Sequence, residues 1–341
     1  MSITLTPKSE PASPVTGQAA RPRHVLLDVS RLAAAYAILW MHNITAPELV
    51  DSAALGRFAV PLFTLATIFL VFEGVARNPL RDWRQYVPAR CARLYLPFLA
   101  WTGIYLAFKL VKGRLLPGEP NDYPGVEVLW LGSAGHLWFL PFILAVNLLA
   151  FGVARAIERR PGAAPITLAV MLVAGWLLVV LPSPAWLATR PLYAELVANA
   201  LPVVAWGIAL SIAWRLLGVR FMEHRAAAPV GVLVFAACTA WVWHFGRCRL
   251  AESLAGLGML AIAMGPVEDP RVVRLGRAGA LAYGIYLCHY LWFKVFEAMA
   301  AKAGFTSSWQ RDAVLFLCCA AASTLLAWSL ARWRWTRWLV A

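Results

Sequence analysis

Arg31 and His42 bracket the almost wholly apolar run from Leu32 to Met41, near the start of the chain. On a helix, eleven steps of about 100° bring two side chains back to within about 20° of each other, so the guanidinium and the imidazole share one face. A rise of about 1.5 Å per residue puts them roughly 16 Å apart along the axis. If the helix crosses a bilayer with Arg31 at its surface, His42 lies near the midplane. An imidazole at that depth is costly unless it faces a cavity or a partner, and such residues are functional candidates. Its titration near neutrality suits a general base, and a surface guanidinium suits bidentate binding of phosphate. The spacing fits a long phosphorylated substrate whose reactive group sits at the tip of an arm, which is the shape of a coenzyme A thioester. The competing use of a membrane histidine is as hydrogen-bonding glue between helices.

Three further groups are candidates. Arg90 and Arg93 stand three residues apart at the start of another apolar stretch. They share a helical face and with Arg31 could form a triple-arginine phosphate site, although any one arginine there also satisfies ordinary loop charge bias. Gly135-His136-Leu137-Trp138 opens a fourth apolar stretch. Trp138 there is either an interfacial anchor or a platform for a sugar face, and His136 could bind a sugar hydroxyl. Tyr283, Tyr286 and His289 recur every third residue, a winding polar stripe that must face the interior of a bundle as structural bonding or pocket lining. His24, His224 and His244 are assigned no role. No residues have metal-ligand spacing, and there is neither a nucleophile elbow nor a phosphate-cradling glycine loop, so no metal cofactor is expected.

The elements that must carry these residues are membrane helices. Apolar residues make up 61% of the 341-residue chain and charged residues 14%, against about 45–50% and 25% in soluble domains. Apolar stretches of about 20 residues recur along the whole length, without the alternation of a β-barrel. The predicted fold is therefore all-α and polytopic, with about ten spans near 26–46, 55–76, 92–111, 136–156, 164–182, 193–214, 228–245, 249–266, 279–301 and 312–331. With both termini cytosolic, this arrangement puts roughly two thirds of the 31 Lys and Arg on the cytosolic side, the expected bias. Losing one span would invert every later loop. The net charge of +14 is thus explained by topology, and nucleic acid is not an expected partner.

Residues 1–25 are polar, with Ser, Pro and Thr, and read as a disordered cytosolic tail with no cleavable leader. Residues 26–331 read as the transmembrane domain and 332–341 as a short basic cytosolic C-terminus, with no appended soluble domain. The six cysteines contain no CxxC pair and fall mostly within apolar spans, as small packing residues do. The rival class is a transporter or flippase of acyl or glycan groups, but no internal repeat supports a secondary transporter; a structural or sensory role leaves the Arg31/His42 pairing unexplained.

At these residues the chain resembles the acyltransferase-3 family of integral membrane acyltransferases. The segments that carry the likeness are LDVSRLAAAYAILWMH (Leu27–His42), VPLFTLATIFL (Val60–Leu70), RCARLYLPFLAW (Arg90–Trp101), GHLWFLPFIL (Gly135–Leu144) and AYGIYLCHY (Ala282–Tyr290). The arginine followed after ten residues by a histidine is that family's most specific mark. One departure is Ala66-Thr67, where the family usually carries Ser-Gly. The resemblance implies transfer of an acyl group, usually acetyl, from cytosolic acyl-CoA (acetyl-CoA) to a carbohydrate hydroxyl at or across the membrane. It implies that Arg31, Arg90 and Arg93 hold the donor, that His42 is the essential base with Arg31 beside it in the catalytic pair, and that His136, Trp138, Tyr283, Tyr286 and His289 line the substrate cavity. The expected setting is the bacterial cytoplasmic (inner) membrane, with membrane lipid around a multi-pass chain and a cell-surface or exported polysaccharide, or its lipid-linked precursor, as acceptor.

Overall fold

A computed structural model describes residues 24–80, 82–115, 125–181, 192–217, 226–265, 267 and 269–340. The expected tail at 1–25 therefore lies almost wholly outside the described residues. In chain order the helices are α1 (Val25–Asn43), α2 (Ala59–Arg77), α3 (Trp83–Arg90), α4 (Leu96–Leu115), α5 (Val128–Leu131), α6 (Phe139–Arg159), α7 (Ala164–Val180), α8 (Leu192–Leu217), α9 (Ala227–Phe245), α10 (Arg249–Ala263), α11 (Pro270–Ala278), α12 (Ala282–Lys302) and α13 (Trp309–Arg332). Among the described residues there is no strand. A chain of apolar spans in lipid must satisfy its backbone internally, and helices do so segment by segment.

Eight of the described helical stretches are long and apolar enough to cross a membrane. The fold is an all-α polytopic membrane bundle. The stretches expected at 249–266 and 279–301 are also helical, as α10 and α12, but neither is among the eight. With 15 residues, α10 reaches only about 22 Å along its axis, less than the hydrocarbon thickness of about 30 Å. The second, α12, has 21 residues but carries Tyr283, Tyr286, His289, Lys294 and Glu297. Of these, Tyr286 and His289 are buried, whereas Lys294 and Glu297 are about a third exposed and pair with each other.

Burial explains the layout. Helix α2 is the central column, with Leu62, Leu65, Ile68 and Phe72 buried, and it packs against α1, α6, α8 and α10. By contrast α7 and α9 turn Ile166, Val173, Trp176, Val230 and Leu233 outward, the arrangement of helices facing lipid tails. Helices α1 and α12 run side by side in the same direction. Leu32 and Ala35 meet Ala282 and Ile285 at one end, and Leu39 meets Phe293 at the other. That parallel register lets a residue near the start of α1 and one near its end face successive residues of α12.

Two boundaries differ from the expected spans for local reasons. The first span ends at Asn43 rather than near residue 46, because the N–H groups of Thr45 and Ala46 bond to the Asp312 carboxylate instead of continuing the helix. The third begins earlier, since α3 runs through a five-residue π-helical segment, Cys91–Tyr95, into α4. The basic C-terminal segment folds back on the bundle. Trp101 Nε1 donates to the Leu339 carbonyl (3.1 Å), and Val340 is buried against Gly284.

Candidate active site

The three arginines converge. Arg31, Arg90 and Arg93 line one cavity of about 160 Å³, together with Ala66, Thr67 and Leu70 of α2, Phe139, Ile143 and Asn147 of α6, and Ala282, Tyr283 and Tyr286 of α12. Ala66-Thr67, the departure from the usual Ser-Gly, is thus part of its wall.

Each arginine is placed by a distinct local device. Arg31 sits one turn after Asp28, 3.7 Å from its carboxylate. The turn between α11 and α12 presses on the same stretch of α1 at Gly279, where a Cβ would come within 2.3 Å of the Asp28 carbonyl oxygen. Arg90 lies over the ring of Tyr86, 4.9 Å from its centroid. Tyr86 is itself stacked on Phe151 at 3.8 Å and donates to Asn147 Oδ1 (3.3 Å). The Arg90 Nε is buried without a hydrogen-bond partner. A donor left open beside two other guanidinium groups suits an anionic ligand.

Arg93 belongs to the π-helical segment, in which Leu96 N–H reaches back five residues to the Cys91 carbonyl. Pro97 follows. It has no N–H to give the Arg93 carbonyl four residues earlier, and its ring crowds that oxygen, so the helix widens there. The Tyr283 hydroxyl donates to this carbonyl (3.4 Å). In a wider turn, residues three apart diverge more than on an α-helix, and Arg90 and Arg93 nonetheless both border the cavity. Pro97→Ala restores the missing N–H. It is expected to draw the segment towards regular α-helix, read by slower amide exchange across residues 91–97.

The second half of the site is a cluster of histidines. Ring centroids of His42 and His289 are 5.4 Å apart, those of His136 and His289 4.8 Å, and those of His42 and His136 6.4 Å. His289 is fully buried, and its Nδ1 lies 2.7 Å from the Tyr286 carbonyl oxygen. A carbonyl only accepts, so Nδ1 carries the proton, and Nε2 is left as a buried lone pair with no partner. By the same reasoning His136 donates from Nε2 to the Leu287 carbonyl (3.4 Å) and keeps an unpartnered lone pair on Nδ1. Two acceptor nitrogens thus belong to the rings that surround His42.

The loop bearing His136 is held on three sides. Gly132 turns with φ +80°, a conformation costly to a residue with a Cβ. Ser133 Oγ donates to the Thr102 carbonyl (2.6 Å), and the Tyr286 hydroxyl donates to the His136 carbonyl.

Tyr286 therefore joins the two halves. It lines the arginine cavity, and its ring lies 5.5 Å from that of His136 and 6.0 Å from that of His289. The predicted stripe divides accordingly, with Tyr283 at the arginine cavity, His289 at the histidine cluster and Tyr286 at both. His42 is not in the cavity lining; Tyr286 and Phe139 stand at the boundary. Trp138 lies apart from both halves, buried against Phe139 and Phe142.

Two residues with no sequence signal of their own complete the cluster. The Tyr105 hydroxyl of α4 donates to the Leu287 carbonyl (2.8 Å) and accepts from Leu291 N–H (3.2 Å), bridging one turn of α12. Its ring lies 5.3 Å from that of His136. Tyr290 faces His42 at 5.9 Å and His136 at 5.4 Å. A tyrosine inside an apolar span needs a partner for its hydroxyl, and that need was the only available hint of Tyr105.

The fold and site together define a helical membrane protein with a cationic cavity at one end and a buried imidazole cluster farther along the same two helices. Residues 25–332, nearly the whole chain, match the family described as an acyltransferase domain, and the chain belongs to that acyltransferase-3 family. It is an integral membrane acyltransferase. No curated relative matches the chain. No solved structure matches it either.

Proposed function

We propose that the protein is an O-acetyltransferase of the bacterial cytoplasmic membrane. It would take an acetyl group from cytosolic acetyl-CoA and pass it to a hydroxyl of an exported or cell-surface polysaccharide, or of its lipid-linked precursor. The observation that carries this reading is the convergence of Arg31, Arg90 and Arg93 on one cavity whose far wall, Tyr286, packs against the histidine cluster containing His42. Three cations on a narrow cavity suit the phosphates of coenzyme A at its mouth. For the thioester to meet His42, the boundary at Tyr286 and Phe139 has to open.

In the direct route, neutral His42 takes the proton of the acceptor hydroxyl as its oxygen attacks the thioester carbonyl. The carbon–sulfur bond breaks, and the leaving thiolate receives the proton from His42. In the carrier route, a His42 nitrogen attacks the thioester carbonyl, the carbon–sulfur bond breaks, and the thiolate takes the N–H proton of the acylated ring; the acceptor oxygen then attacks the acyl group, the nitrogen–acyl bond breaks, and the hydroxyl proton passes to the freed imidazole. In either case an imidazole used for its lone pair needs its other nitrogen protonated and oriented, and His289 Nε2 is an acceptor suited to that N–H.

The deciding experiment supplies purified protein in detergent with acetyl-labelled acetyl-CoA and a panel of glycans. Label on a glycan hydroxyl with release of free thiol is the expected result. Neither thiol release nor label on any acceptor would remove the acetyl-CoA reading and leave the transporter alternative. Label retained on the protein without acceptor, and lost in His42→Ala, identifies the carrier route.

A further inference from the structure

His42 occupies the last turn of α1. The end of a helix lacks the onward hydrogen bonds of its interior and frays. A base or acyl carrier in that position requires a hold from outside its own helix.

Asp312 supplies it. The residue is fully buried in the first turn of α13, where the helix terminus favours a negative charge. Its Oδ2 accepts the N–H groups of Thr45 (2.7 Å) and Ala46 (2.8 Å), and its Oδ1 accepts the Thr45 hydroxyl (2.7 Å). Its backbone carbonyl accepts Nδ2 of Asn43 (2.5 Å). In a continuing α-helix, the Thr45 and Ala46 N–H groups would bond to the carbonyls of Met41 and His42. The carboxylate takes both, which ends α1 directly after the candidate catalytic turn and ties that end to another helix. Arg311 adds a donor to the Thr45 hydroxyl (2.9 Å).

We propose that Asp312 is a positioning residue for His42: by fixing residues 43–46 it sets where the imidazole stands relative to His289 and His136. The inference rests on the reading of His42 as the reacting group. Asp312 makes no contact with that ring and would act only through the backbone that carries it. A displacement of about 1 Å at a reacting group can cost on the order of a hundredfold in rate.

The test uses the full-length protein in lipid nanodiscs, with Asp312→Leu, Asp312→Asn and Thr45→Val. Three quantities are read: turnover at saturating acetyl-CoA, equilibrium binding of acetyl-CoA, and amide hydrogen exchange by peptide. Asp312→Leu is expected to lower turnover at least about tenfold, with donor binding within about twofold of wild type and faster exchange confined to the peptides around residues 40–46 and 307–313. Asp312→Asn still presents one oxygen to both amides and an NH₂ to the Thr45 hydroxyl, so it should recover most of the turnover. Unchanged turnover in Asp312→Leu overturns the proposal. So does loss of donor binding in step with turnover and faster exchange throughout the bundle, which is what a purely structural role produces.

If Asp312→Leu does not fold, Thr45→Val carries the test: a severalfold fall in turnover at unchanged donor affinity supports the clamp, and no fall overturns it. If the wild-type protein transfers no acetyl group, the functional reading has failed, and exchange at residues 40–46 still decides for or against the clamp.

Discussion

Alanine at position 42 should lower turnover by two to four orders of magnitude, the range lost when a positioned acid–base group is removed. Acyl-CoA binding should stay within about twofold, because the proposed phosphate site is the cavity lined by Arg31, Arg90 and Arg93, and that lining does not include His42. Initial rates with labelled acetyl-CoA, paired with equilibrium binding on the same preparation, separate the two effects. His289 and His136 keep acceptor lone pairs on Nε2 and Nδ1, so the rate left in His42→Ala is expected to come from these rings. Near-normal turnover in His42→Ala would place the chemistry elsewhere in the bundle.

The second large effect is expected at the opposite end. Arg31→Ala and Arg93→Ala should each weaken donor binding roughly ten- to a hundredfold, the loss for a hydrogen bond to a charged group worth about 1.5–3 kcal/mol. Turnover at saturating donor should change little, since an interaction made equally in the ground and transition states moves KM and leaves kcat. Lysine at position 93 should restore only part of the affinity, because an ammonium keeps the charge but cannot bind phosphate bidentately. If these arginines served only the charge bias of a membrane loop, the three substitutions would leave KM unchanged. Titration with desphospho and full-length donor analogues locates the effect on the phosphates.

Much of the site could be read before the fold was known, because helical spacing is a local property. Arg31 and His42 share a face by arithmetic alone, and in the bundle that face looks onto α12, with Tyr283 opposite the beginning of the interval and His289 near its end. The stripe of Tyr283, Tyr286 and His289 was visible for the same reason. Arg90 and Arg93 both border the cavity, but on a segment that Pro97 widens into a π-helical turn, whose angles α-helical periodicity does not describe. Trp138, grouped with His136 by adjacency, packs instead on Phe139 and Phe142, since neighbours in a turn need not share a direction.

The sequence by itself determined that the chain is a helical membrane protein, which residues share which helical face, and which family the motifs resemble. These follow from composition and from periods of a few residues. Only the tertiary structure decided that three arginines from two distant segments border one cavity, that Tyr286 separates it from His42, and that Tyr105, Tyr290 and Asp312 belong to the same assembly. Asp312 and Thr45 lie at opposite ends of the chain. A buried carboxylate announces a need for hydrogen-bond donors, but which backbone amides answer it depends on how α13 is packed against α1.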